Sequence, residues 1–411
     1  MNVDLMRKID RYAGIPLCFA MTLLTKGLRA VWPARRKPVK NVLFVELSEM
    51  GSVILADPAI KKARDVLKAQ VYFAIFQRNQ KSLEILNTIP GENVFGIRSG
   101  SFWELTVDCL RFLAWTRKKN IDTVIDLELF SRVTALLCGM CGADKIVGYH
   151  AFHTEGLYRG DMITHRTAYN PHIHISKNFI ALVNALKTAN PEEVPFSKTL
   201  IKDEEIRLDK VVPKSEALDF MRRKIADLHE GYAPETHRLV LVNPNAGELL
   251  PQRRWMPENF VAVMKMVLEA HEDVLVLITG DPSEQTEADD LKARVNSDRC
   301  VNFAGQCQLT ELPVLYSLST LMLTNDSGPA HFAAVTSMPT YVIFGPETPA
   351  LYGSLGNCIP IFAGLACSPC VSAANHRKTP CTDNVCLKVI TPELVFGLLG
   401  QTLEGGIQTG S

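Results

Sequence analysis

Twice along this chain a short apolar run leads into a polar turn and an amphipathic helix, and each time the cycle repeats before it breaks off. In the first half the runs are 41–46 (NVLFVE), 71–75, 94–97, 123–126 (TVID) and 145–148, with helices predicted over 58–67, 102–119, 131–141 and 176–186. The second half restarts at 239–243 (LVLVN) and continues through 274–279, 301–303, 321–324 and 340–344 (TYVIF). Its helices are predicted over 257–270, 284–295, 309–318 and 329–336. Strands that alternate with helices form a parallel sheet with helices on both faces. The expectation is an α/β protein of two Rossmann-like, doubly wound domains around a cleft, with ligands at the C-terminal ends of the strands.

Between the halves, residues 191–236 are more polar, carry Pro191, Pro195 and Pro213, and read as a linker region. The expected domains are thus 41–190 and 237–390, with a C-terminal helix and tail over 391–411. The whole chain of 411 residues has a net charge of zero, which argues against nucleic acid as a partner. That balance hides an asymmetry. Residues 1–40 hold nine basic and two acidic side chains, a net of +7. They also hold an apolar stretch from Ala13 to Leu24, interrupted by Pro16 and Thr22 and too short to span a bilayer. No small-residue cleavage site follows it, so it does not read as a signal peptide. Its stripe of Ile15, Phe19, Leu23 and Leu24 beside basic residues predicts a helix at the membrane interface; a helix packed on the protein is the alternative. The eleven cysteines are odd in number. Cys18, Cys109, Cys138, Cys141, Cys300, Cys307 and Cys358 sit in apolar surroundings and suggest buried thiols in a reducing compartment. Cys367, Cys370, Cys381 and Cys386 cluster, but their spacing matches no common zinc module. No metal site is assigned.

The residues that carry chemistry lie at strand ends. Asn325-Asp326-Ser327-Gly328-Pro329-Ala330-His331 follows an apolar strand and opens a helix. Ser327 is placed to cap that helix, Gly328 permits close backbone approach, and Pro329 suits the first turn. Amides at a helix start favour a phosphate. Other strand ends add Asn245 and Ala246 in PNAG, Arg253 in RRW, Glu284 after Gly280, and the turn FGPETP at 344–349. Amide donors, a guanidinium and a carboxylate suit a diphosphate and a ribose.

NDSGPAH (325–331), FGPETP (344–349), NPNAG with RRW-P (243–257) and LSEMGSVILADPAI (47–60), in this order, resemble the bacterial heptosyltransferase family, glycosyltransferase family nine. Similarity extends to 124–150 and 172–186 and covers about residues 40–400. The resemblance implies a GT-B fold and inverting sugar transfer without a required metal or other cofactor. The donor would be a nucleotide diphosphate sugar, ADP-heptose by resemblance. The acceptor would be a lipopolysaccharide or other cell-envelope glycolipid or polysaccharide, handled at the cytoplasmic face of the cytoplasmic membrane by a peripheral protein. By position, residues 326–331 would hold the donor diphosphate with Arg253, and Glu284 the ribose hydroxyls. The N-terminal domain would hold the acceptor.

One position departs from the family. Where many members have Gly-Asp in the first loop, with the Asp as general base, this chain has Gly51-Ser52. A hydroxyl is a poor proton acceptor near neutral pH, so Glu49 in the same loop is the candidate base, ahead of Glu46 and Asp57. Two other readings stay open on sequence alone: a GT-B sugar-nucleotide epimerase, and a non-catalytic nucleotide-sugar binder or scaffold.

Overall fold

In the computed structural model, residues 3–31, 38–47, 50–129, 131–151, 157–187, 198–247, 250–372 and 377–405 are described below. They fall into two units, Met1–Arg207 and Leu208–Ser411, and the division lies inside the polar segment 191–236.

The first unit is built on β1 (Asn41–Val45), β2 (Gln70–Phe76), β3 (Val94–Ile97), β4 (Thr123–Asp126), β5 (Lys145–Tyr149) and β6 (His165–Thr167). Every pairing is parallel and the order is β3-β2-β1-β4-β5-β6. The central strand is apolar and buried along most of its length, as a strand covered on both faces must be. Its core joins Leu43 and Val45 to Phe112 and Leu137 from the helices Phe102–Lys118 and Arg132–Met140.

The second unit repeats the plan with β7 (Arg238–Asn243), β8 (Val274–Ile278), β9 (Cys300–Asn302), β10 (Ser319–Asn325), β11 (Thr340–Phe344) and β12 (Cys358–Phe362). The order β12-β11-β10-β7-β8-β9 is the first unit's order read from the other edge. Each sheet therefore has a point where strand order reverses, between β1 and β4 in one and between β7 and β10 in the other. Loops at the C-terminal ends of those central strands diverge there and leave a crevice for a ligand.

Three expectations about elements need correction. The helix predicted from Pro58 begins at Met50 and carries Pro58 inside it. Burial of Val53, Ile54, Leu55 and Ala59 outweighs the hydrogen bond that proline removes. β6 and β12 were not predicted. Both are edge strands, one of three residues reading HRT and the other carrying Pro360, and neither has the apolar run of a central strand. The apolar N-terminal stretch is longer than 13–24: helices run over Val3–Tyr12 and Gly14–Val31, and the second is long and apolar enough, by length and composition, to cross a membrane.

Candidate active site

At the reversal point of the second sheet, the ends of β7 and β10 lie side by side. Thr324 pairs with Asn243, so the loops 244–246 and 326–328 leave the sheet as neighbours. Asn325 ties them together. Its side chain is fully buried; Nδ2 donates to the Pro244 carbonyl at 2.6 Å, and Oδ1 accepts from the Trp255 backbone N–H at 3.0 Å. Trp255, itself buried, donates from its indole to the Ile390 carbonyl at 3.0 Å. Arg254 Nε donates to the Ala246 carbonyl at 2.8 Å. Asn325 and Ala246 thus position the site's loops, with the Asn325 amide spent within the protein.

Within this frame the structure brings Arg253 and Asp326 together. Both are largely buried, and Nη1 of the arginine lies 3.9 Å from Oδ2 of the aspartate, too long for a hydrogen bond. Arg253 Nε and Asn245 Oδ1 are buried and have no hydrogen-bond partner among the described residues. Asn245 also hydrogen-bonds Glu284, whose carboxylate accepts from the Asp281 N–H at 2.8 Å and sits against Gly280 at the end of β8. Burial raises the Glu284 carboxyl above its ordinary range.

Asp326 has a second carboxyl neighbour that the sequence did not single out. Glu347, in the FGPETP turn, is buried and hydrogen-bonds Asp326. Burial first, and this neighbour second, push Asp326 well above the carboxylate range, while Arg253 opposes the shift. Arg377 Nε lies 3.3 Å from Glu347 Oε1, and its guanidinium stands over the Tyr352 ring. The cysteine-rich segment delivers that arginine: the Cys370 N–H donates to the Pro346 carbonyl at 3.0 Å, and Ser368 Oγ donates to the Gly345 carbonyl at 3.3 Å. A carboxylate beside a strand-end glycine was a signal available at Glu347. Nothing in the local sequence marks Arg377.

The helix Gly328–Ala333 starts where expected, with Pro329 in its first turn, but Ser327 does not cap it. Its hydroxyl turns back to the Asn325 carbonyl at 3.2 Å. Gly328, Pro329 and His331 are half-buried at this helix start, whereas Ala330 packs inward against Val342 and Phe344.

At the reversal point of the first sheet, Ser52 is half-buried on the helix that follows β1, while Glu49 lies outside the described residues. Asp57 is fully buried, paired with Lys61 at 2.7 Å and hydrogen-bonded by Thr88, so its carboxylate is committed to the fold. Glu46 is buried at the end of β1. At the end of β4, Asp126 is buried against Arg159 and Thr134, and beyond it Glu128 accepts from the Leu47 N–H at 3.0 Å, which joins the two loops. Among the described residues no group of His, Cys, Asp or Glu is arranged to hold a metal, and all eleven cysteines are free thiols.

The model of glycosyltransferase family 9 (heptosyltransferase) matches residues 110–379, well over half of the chain. The chain belongs to glycosyltransferase family 9. Among its relatives, the lipopolysaccharide core heptosyltransferase OpsX of Haemophilus influenzae is 19% identical over 326 residues, covering 79% of this chain and 85% of that protein. Lipopolysaccharide heptosyltransferase 2 of Salmonella typhimurium is 29% identical over 105 residues, 25% of this chain, and the match spans only 30% of that relative's length. The structure of Escherichia coli ADP-heptose lps heptosyltransferase II superposes with a TM-score of 0.68 over 89% of this chain and 98% of that chain. At 16% identity that likeness is one of fold, two parallel α/β units of the GT-B type.

Proposed function

We propose that this family 9 protein transfers a heptose-like sugar from a nucleotide diphosphate sugar, ADP-heptose, to a lipopolysaccharide or similar cell-envelope glycolipid, with inversion and without a metal. The donor is suggested by the E. coli ADP-heptose heptosyltransferase of like fold, and the acceptor by the lipopolysaccharide heptosyltransferases among the relatives.

The observation that carries the reading is Arg253. It is a largely buried guanidinium with an unspent Nε, beside Asp326 at the reversal point where α/β sheets take their ligands, and Asn245 in the neighbouring loop carries an equally unspent Oδ1. A donor diphosphate supplies the acceptor that Nε lacks, and a fixed guanidinium offsets the charge that grows on the leaving diphosphate. Residues 326–331 would face the same diphosphate, with Glu284 and Asn245 toward the ribose. In an inverting transfer the acceptor oxygen attacks the anomeric carbon from the side opposite the leaving group. The C–O bond to the diphosphate breaks with its electron pair, and the acceptor proton passes to a base. Asp57 is engaged by Lys61 and Thr88, and we assign the base to Glu49, just before the helix Met50–Val66, with Ser52 positioning the acceptor. We place the protein on the cytoplasmic side of the inner membrane, where a lipid-borne acceptor is found.

Incubating the purified chain with a panel of nucleotide sugars, with and without membrane glycolipid extract, tests the reading. Nucleoside diphosphate release that requires both ADP-heptose and glycolipid is expected. Isomerisation of the sugar without acceptor, or binding without turnover, would overturn it.

A further inference from the structure

The helix Gly14–Val31 is put together the wrong way round for a protein interior. An amphipathic helix on a globular domain turns its apolar stripe inward and its polar face to water. Here the stripe facing the domain is Gly14, Cys18, Met21, Thr22, Thr25 and Arg29, mostly small or polar. Ile15, Leu17, Phe19, Leu23, Leu24 and Leu28 face outward, with Phe19 57% and Leu23 58% exposed.

The inward stripe is nonetheless well fitted. Thr22 Oγ1 accepts from the Asp161 N–H at 2.8 Å, Arg29 donates to the Met162 carbonyl at 3.1 Å, and Lys26 pairs with Asp161 at 2.7 Å. A Cβ at Gly14 would meet Arg132 Cδ at 2.8 Å, and one at Gly160, whose φ is +75°, would meet the Cys18 carbonyl at 2.8 Å. Just upstream, Asp10 accepts from the Arg132 and Val133 N–H groups at 2.7 and 3.0 Å, capping the helix that leaves the end of β4. The segment is thereby fixed to the first unit along its length, and its start abuts the ligand end of that sheet.

We propose that this outward face is a membrane-docking surface that lies flat on an anionic bilayer and presents the ligand end of the first unit to a lipid-borne acceptor. The proposal names the surface that serves the glycolipid transfer proposed above, and it rests on that reading for its purpose but not for its test. Charge complementarity chooses the occupant. Lys8 and Arg11 are exposed beside the apolar face, Lys26 keeps most of its side chain in water, and residues 1–40 carry a net +7. Apolar area together with flanking cations is what an interfacial helix offers to phosphatidylglycerol or cardiolipin headgroups. A spanning helix would have to leave Thr22, Lys26 and Arg29 without the partners that hold them here.

The test is sedimentation of the full chain with vesicles rich in phosphatidylglycerol, against vesicles of phosphatidylcholine alone. Binding to the anionic vesicles that weakens as salt rises is expected, and a Leu23→Glu/Leu24→Glu variant should bind about tenfold or more weakly. Both leucines are exposed, so its thermal midpoint should match the wild type. Tryptophan fluorescence of a Phe19→Trp variant should be quenched best by lipids brominated near the headgroup, and alkaline carbonate should release the protein. Wild-type binding by the double variant would overturn the proposal. So would quenching by deep bromines with resistance to carbonate, which means a spanning helix, or self-association without vesicle binding, which means an interface between copies. None of these readouts involves donor or turnover. Intact vesicle binding by a protein that transfers no sugar would refute the catalytic reading alone.

Discussion

Arg253 and Asp326 are the residues on which the donor reading is most exposed. Replacing Arg253 by alanine removes a charge-assisted contact of about 1.5–3 kcal/mol, so ADP affinity in calorimetric titration should fall by about tenfold to a hundredfold while the fold survives. Asp326 behaves differently. Burial and Glu347 raise its carboxyl, so the site takes up a proton at a higher pH than an ordinary aspartate would. A neutral carboxyl tolerates a diphosphate and an ionised one repels it. Donor affinity should therefore decline as pH rises through the raised pKa, by up to about tenfold per pH unit, and an Asp326→Asn variant should show a flat profile. In the first unit, Glu49→Gln should lower kcat by ~10²–10⁴ in the glycolipid assay with donor affinity kept, and Ser52→Ala should cost much less. Sequence reasoning singles out Arg253, Asp326, Asn245 and Glu284 as candidates because strand ends in α/β proteins are where ligands go. That the Asn325 side chain is engaged within the frame, and that Glu347 stands beside Asp326, was not legible, because such contacts depend on partners tens of residues away, such as Trp255.

The central strands of both sheets were legible as elements because burial on two faces forces an unbroken apolar run. Two of the four edge strands were not: β6 reads HRT and β12 is interrupted by Pro360. β6 makes its own prediction. His165 within it is buried, and burial brings its imidazole down to about 4. The folded state then refuses a proton that the unfolded chain accepts below about pH 6.5. This lowered group contributes stability above the unfolded pKa, and the contribution is lost as pH falls from 6.5 toward 4, at about 1.4 kcal/mol per pH unit. Thermal midpoints of the wild type should drop across that interval more steeply than those of His165→Gln.

Two sheets of matching strand order, each with its own core, make a molecule of two stability domains. Equilibrium unfolding in urea, followed by fluorescence and circular dichroism together, should not fit a single two-state transition. ADP should shift only the transition of the unit that carries Arg253 and Trp255, by about 2.7 kcal/mol at a hundred times its dissociation constant. A uniform shift of both transitions would contradict the assignment of the donor to the second unit. The repeat of the strand–helix cycle gave this two-part plan from sequence, and the boundary inside 191–236 was visible as a change in polarity. A packed helix over residues 14–31 was one of two readings of the sequence, but its partners Arg132 and Asp161 were not visible, because they lie far along the chain.

That separation has a consequence in time. Thr22 is bonded to a residue 139 positions later. At a synthesis rate of about 5–20 residues per second, roughly 7–30 s pass between the two leaving the ribosome. Throughout that interval the nascent helix has no domain to lie against, while its outward leucines and flanking cations are already complete. On the docking proposed above, the nascent chain should reach the bilayer before the first unit has folded around β1.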